Sequence, residues 1–236
     1  MSGPDSTEPY FSLRDVSGAS YERYEPPAYL LALLPDKAAR ILDFGCGLGQ
    51  LMHSLVARGY TQVTGADVEP QALQHVRQRG LQAEDATDFE GFVATHANAY
   101  DFIVLAHVLE HLPKERMVPL LQGLRRLLRP GGRMLLMVPN AQSPTGPYWR
   151  YEDFTHHWLF TTGSLRYVLR AAGFERLQFI DVDCTAGLGP VKAALRRGLL
   201  RLYRARTALW NAATGSAYHA PSPQVFSYEI KALVSG

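Results

Sequence analysis

The chain has 236 residues, 47% hydrophobic and 19% charged, enough for one α/β domain with additions and a full buried core. Its net charge of +2 gives no general pull toward nucleic acid, and none is expected as a partner. Two cysteines, Cys46 and Cys184, cannot form a disulfide framework and suit a reducing compartment; with no basic and apolar leader and no apolar run of about eighteen residues, a cytoplasmic protein is expected. Residues 1–20 are polar and rich in Ser, Gly, Asp and Pro, which predicts mobility. Residues 20–35 read as a short helical segment with Pro26 and Pro27 near its start.

The stretch ILDFGCGLGQ (41–50) predicts a strand turning into a helix. Gly45, Gly47 and Gly49 at that turn let the backbone lie close to a ligand, and the helix start offers free N–H groups. Cys46 within the loop reads as a small packing residue of the same pocket. Asp43 stands beside the first glycine. A carboxylate there repels a dinucleotide pyrophosphate and suits an ammonium and a sulfonium, both of which S-adenosylmethionine carries.

After a helix over 50–58 and a strand over 62–66 comes Asp67, placed to accept from ribose hydroxyls, with Val68 next to it. A helix from Pro70 ends near Gly80, and a third strand leads to Asp85 and Ala86, placed for the adenine amino group, with Glu84 and Asp88 as competing acids. A buried strand over 102–106 runs into His107, Glu110 and His111, which spell H-x-x-E-H. That pattern matches an inverted zinc-protease signature, but its place at the end of a buried strand argues against zinc, and no metal is expected. An apolar face over 114–128, a Pro-Gly-Gly turn and a strand over 133–138 follow. A helix over 164–174 and strands over 177–183 and 226–234 complete the alternation of a doubly wound sheet.

The ordered series of acid and glycine loop, second acid, third acid, the strand before HVLEH and the PGG strand resembles the class I S-adenosylmethionine-dependent methyltransferases. The resemblance covers about residues 38–182 and the last ten. It implies a Rossmann-like α/β fold, a doubly wound seven-stranded sheet with its last strand antiparallel, and S-adenosylmethionine as cofactor. It implies four stretches: a cleft-covering segment over 1–36, a core over 37–183, a helical insertion over 184–225 and a final strand over 226–236. It further places Tyr21, Arg23 and Tyr24 across the cleft, unless the tyrosines only pack on the sheet edge, and His107 near the transferred methyl group.

The acceptor side is read from PTGPYWRYEDFTHHWLFTTGSL (144–165), which gathers aromatic residues near Asp153, His156 and His157. Methyl transfer to a hydroxyl needs alignment and a proton acceptor, and an imidazole suits that task. His157 is preferred to His156 as the base; the alternative is that both histidines and Asp153 only tie down a loop. The wording D-F-T-H-x-x-x-F-T-x-x-S-L is similar to methyltransferases of bacterial surface-polysaccharide and lipopolysaccharide biosynthesis. That implies a sugar hydroxyl of a glycan or lipid-linked glycan as acceptor. The alternatives are a quinone or other hydrophobic small molecule, and a protein that binds the cofactor without transferring methyl.

Residues 184–228 hold no Asp or Glu but carry Lys192, Arg196, Arg197, Arg201, Arg204 and Arg206. Val191, Leu195, Leu199, Leu202 and Leu209 share one side of the helix expected over 191–213, with Arg197, Arg201 and Arg204 opposite and Arg206 among the leucines. Such a helix can lie on an anionic inner-membrane surface through 191–210, or pack its leucines on the domain or on a second copy.

Overall fold

The computed structural model describes residue 11 and residues 24–217 and 222–236. The expectations for Tyr21, Arg23 and, Phe11 apart, residues 1–20 lie outside the described residues. The N-terminal helix α1 spans only Ala28–Leu31 and follows Pro27, whose extended backbone (φ −58°, ψ 146°) holds the chain out of a helix until that point.

The chain then alternates as β1 (Arg40–Phe44), α2 (Gln50–Ala57), β2 (Gln62–Asp67), α3 (Pro70–Gln78), β3 (Gln82–Asp85), α4 (Phe89–Thr95) and β4 (Tyr100–Ala106). A 3₁₀ turn at Leu109–His111 leads to α5 (Lys114–Leu127), β5 (Leu128–Pro139), α6 (Gly146–Glu152), α7 (Thr162–Ala171), β6 (Arg176–Phe179), α8 (Pro190–Thr214) and β7 (Glu229–Ser235). The seven strands lie in the order β3-β2-β1-β4-β5-β7-β6, parallel except β7, which runs antiparallel to both its neighbours.

The side-chain period of two explains the two cores. Ile103 and Leu105 of β4 face Met117, Leu121 and Leu124 of α5 and Leu165 and Leu169 of α7. Phe102 and Val104, one residue out of phase, join Leu51, Met52 and Leu55 of α2 and Leu73 and Val76 of α3. Each such side chain contributes about 1.5–3 kcal/mol when fully buried.

The sequence did not predict α4 or α6. The sixth strand also stops earlier than residue 183, because Asp181 and Cys184 take positive φ of 42° and 53° and break the extended backbone. Strand order reverses between β1 and β4, and open α/β sheets bind ligands outside the strand ends at such a switch point.

Candidate active site

At the switch point the loop after β1 touches the turn after β4. Gly45 has φ +78°, and a Cβ there would sit 2.3 Å from Val108 Cγ2. Only glycine allows that backbone and that approach together. The amides of Gly45 and Cys46 both donate to the Ala66 carbonyl, at 2.7 and 3.1 Å, so the loop is latched to the end of β2. Cys46 is buried in the core beneath it, against Gly65, and burial first, then Asp43 and Asp67, push its thiol pKa up.

Three carboxylates end three neighbouring strands. Asp43 is buried on β1, and burial, with Asp67 adding, raises its pKa from 3.8 to about 7. Asp67 ends β2 and accepts N–H bonds from Gly47 at 2.8 Å on Oδ2, and from Val68 at 2.8 Å and Glu69 at 3.0 Å on Oδ1. A carboxylate has about four acceptor positions, so Oδ2 retains capacity for a ribose hydroxyl. Asp85, in register with Asp67, is exposed and accepts from Thr87 N–H at 2.8 Å. Its rivals are engaged elsewhere: Asp88 caps α4, and Glu84 bonds His96 at 2.8 Å. Val68, 52% exposed, and buried Ala86 flank the same rim. The three acids thus follow one another in strand order, β1, β2 and β3, around the glycine loop.

The cleft floor holds a file of alternating charges. Lys231, fully buried on β7, lies 2.9 Å from Asp181 Oδ2 and 3.5 Å from Glu229 Oε1. Glu229 Oε2 stands 3.4 Å from His107 Nε2, and His107 Nδ1 3.2 Å from Glu110 Oε1. His107 takes a left-handed φ of 55°, costly for a side chain of its size, and its ring lies half-exposed. Burial opposes its charge, but Glu110 and Glu229 outweigh that and raise its pKa to about 10. Burial likewise opposes the Lys231 ammonium, and Asp181 and Glu229 more than offset it. Burial alone would raise Glu229; His107 and Lys231 hold it below its ordinary value. Tyr29 Oη donates to Glu229 Oε1 at 3.1 Å. Tyr24 borders the same charges: burial, then Asp43 and Glu229, push its pKa up to about 12. Sequence reasoning missed Glu229, Lys231 and Asp181. The signal was two charges two residues apart, hence on one face, in the otherwise apolar run EIKALV.

The segment 144–165, expected from the sequence to face the acceptor, docks on the turn after β4. Backbone N–H groups of His157 and Trp158 donate to the Glu110 carbonyl, at 2.8 and 3.3 Å. Buried Asp153 accepts from Thr155 N–H and Oγ1, at 3.0 and 2.6 Å, and Thr155 Oγ1 meets His111 Nδ1 at 2.7 Å. His156 Nδ1 donates to the Trp149 carbonyl at 2.7 Å, and its ring packs 4.7 Å from that of His111. So Asp153 and His156 are joined to His111 in one polar cluster, while His157 has an exposed side. Buried Asn140, also missed, donates to the Val225 and Ser227 carbonyls at 2.7 and 2.8 Å, fixing the chain that enters β7. Tyr148, Trp149 and Tyr228 follow one another along the rim, with ring centroids 5.2 and 6.1 Å apart. The depression walled by Glu90, Gly123, Arg125 and Gly173 gathers no such set and lies on helices away from these strand ends.

The insertion corrects one expectation. The leucines of α8 do not pack on the domain: Val191, Leu195, Leu199, Leu202 and Leu209 are all exposed. The opposite side makes the contacts, with Arg204 bonding Asp183 at 2.9 Å, Tyr203 meeting Phe226 at 4.9 Å and Arg196 reaching the Cys184 carbonyl. Among the described residues no helix is long and apolar enough to cross a membrane.

A family described as a methyltransferase domain matches residues 19–178. A ubiquinone biosynthesis O-methyltransferase of Xanthomonas oryzae pv. oryzae is 32% identical over 117 residues, covering 48% of each chain. One from Cronobacter sakazakii is 30% identical over 136 residues, 56% of this chain and 50% of that protein. The chain therefore spans about half the length of the curated relatives it matches. A solved S-adenosylmethionine-dependent methyltransferase from Archaeoglobus fulgidus shares the fold, with a TM-score of 0.65 at 15% identity over 98% of this chain and all of that one.

Proposed function

The chain belongs to the methyltransferase domain family, and from that footing we propose that it is an S-adenosylmethionine-dependent O-methyltransferase whose acceptor is a hydroxylated hydrophobic ring. The row of Asp43, Asp67 and Asp85 around the glycine loop is the observation that carries the donor half. When bound, S-adenosylmethionine supplies a methyl group made electrophilic by its sulfonium. Asp43 receives the ammonium, Asp67 the ribose and Asp85 the adenine amino group, with Val68 and Ala86 against the base. Gly45, Gly47 and Gly49 let the backbone come close, Tyr24 borders the methionine end, and His107 lines the reacting end. Positioning supplies much of the acceleration of an in-line displacement. His157, on the exposed side of the docked loop, takes the acceptor's proton; His156 and Asp153 hold that loop in place.

Two observations support a ring acceptor. The rim of Tyr148, Trp149 and Tyr228 offers aromatic faces, and the matching relatives are named for ubiquinone biosynthesis. The relatives lend no support to the sugar hydroxyl expected from the sequence. The outward apolar stripe of α8, bordered by exposed Lys192, Arg201 and Arg206, suits an anionic bilayer surface from which such an acceptor would be drawn.

Methyl-labelled cofactor, offered with a prenylated catechol in mixed micelles and with a lipid-linked glycan, tests the reading. Label in the catechol is expected; label in the glycan alone overturns the acceptor. Cofactor binding with no labelled product in any extract would favour a binding protein without transfer. His157→Ala is expected to lower turnover about 100-fold with cofactor affinity kept. Full activity in that variant removes His157 from the mechanism.

A further inference from the structure

The H-x-x-E-H motif is divided by the fold. His107 stands between Glu229 and Glu110 Oε1, whereas His111, with Glu110, gathers at His156, which arrives from a segment more than forty positions later. One ring nitrogen of His111, one of His156 and a carboxylate oxygen of Glu110 all lie within 4.8 Å of one another. Ligands held at roughly 2.1 Å from a common ion stand roughly 3–3.5 Å apart, so small side-chain rotations close the set.

The bonding around these groups prepares them as ligands. The Trp149 carbonyl can only accept, so His156 Nδ1 is the donor there, and Nε2 is the nitrogen left to offer a metal. Thr155 Oγ1 gives its proton to Asp153, so it accepts from His111 Nδ1, and the lone pair of that ring lies on Nε2. Each imidazole is thus oriented by an outer partner, as metal-bound histidines are. Glu110 is fully buried; its Oε1 faces His107, while its Oε2 is buried with no hydrogen-bond partner. A buried carboxylate oxygen without a partner is costly, and a cation is the group that would satisfy it. The Asp153 carboxylate, 3.8 Å from His156 Nε2, adds negative charge beside the set.

We propose that Glu110, His111 and His156 form a binding site for a divalent transition-metal ion beside the acceptor segment. Two imidazoles and one carboxylate suit zinc or ferrous iron; magnesium and calcium prefer oxygen ligands. Three protein ligands leave coordination positions open, the pattern of sites where an ion contacts a substrate oxygen. The site is separate from the three carboxylates of the donor cleft, so it stands or falls without the methyl-transfer reading.

The test uses the full chain, stripped with chelator and dialysed. Zinc is titrated against a chromophoric competitor, and cobalt is added separately to read its visible absorption bands. Binding of one zinc per chain at micromolar or tighter affinity is expected, with a cobalt spectrum showing nitrogen ligation. His156→Gln, His111→Gln and Glu110→Gln are each expected to weaken zinc at least 100-fold, while His53→Gln, an exposed histidine of α2, leaves it unchanged. Circular dichroism of each variant shows whether it is folded, and His156→Gln decides if Glu110→Gln, a change at a fully buried carboxyl group, is not. No zinc binding below millimolar concentration overturns the proposal. So does a bound zinc that persists unchanged in folded His156→Gln.

Discussion

Asp43 holds a carboxyl group in a site that disfavours its charge, and this sets a pH signature. Its pKa is about 7 in the folded protein against an ordinary 3.8. Below about pH 4 the group is neutral folded or unfolded and its ionisation costs nothing. As pH rises toward 7 the unfolded chain releases this proton more readily, so the ligand-free protein loses stability, and the loss levels off above 7. Asp43→Asn removes that dependence; the variant should match the parent near pH 4 and exceed it at pH 8 by a few kcal/mol, about 4 at most. Thermal unfolding across that range measures it, and parallel curves would refute the buried charge. On the proposal that Asp43 receives the cofactor's ammonium, the ionised form is the one that binds, and affinity should fall up to about tenfold per pH unit below 7, with proton release seen by calorimetry in two buffers.

Strand β7, paired between β5 and β6, carries the charged file. Lys231 is fully buried between Asp181 and Glu229. Lys231→Met keeps much of the volume but leaves two carboxylates without their cation, so it should cost about 3–5 kcal/mol, read by denaturant unfolding. A cost under about 1 kcal/mol would mean the file contributes little. Converting Leu195, Leu199 and Leu202 together to Asp should abolish binding to anionic vesicles while the melting temperature stays put, since all three are exposed. Equal vesicle binding refutes the membrane proposal, and a dimer lost in the variant would assign the stripe to a second copy.

What was legible in the sequence follows from locality. Period-two strands and the glycine loop depend on neighbours a few residues apart, so β1 to β5 and the three acids could be read directly. Glu229 and Lys231 acquire meaning only because β7 inserts antiparallel between β5 and β6, a pairing no local pattern reveals. The same is true of His111 with His156. Helix α6 begins Gly-Pro and holds Tyr148, Trp149 and Tyr151, which reads as loop until Asn140 and the turn after β4 hold its surroundings.

At the scale of the molecule, the switch point between β1 and β4 joins the two halves. The loop after β1 and the turn after β4 interlock there, Gly45 against Val108. The acceptor segment and the end of β7 close the other side through Glu110 and Glu229. Isothermal titration of the intact chain with S-adenosylhomocysteine tests the central claim most directly. One site per chain is expected, weakened about 10–100-fold by Asp67→Asn, or about 1–3 kcal/mol, with no heat from a nicotinamide dinucleotide. No heat from S-adenosylhomocysteine, or dinucleotide binding in its place, would contradict it.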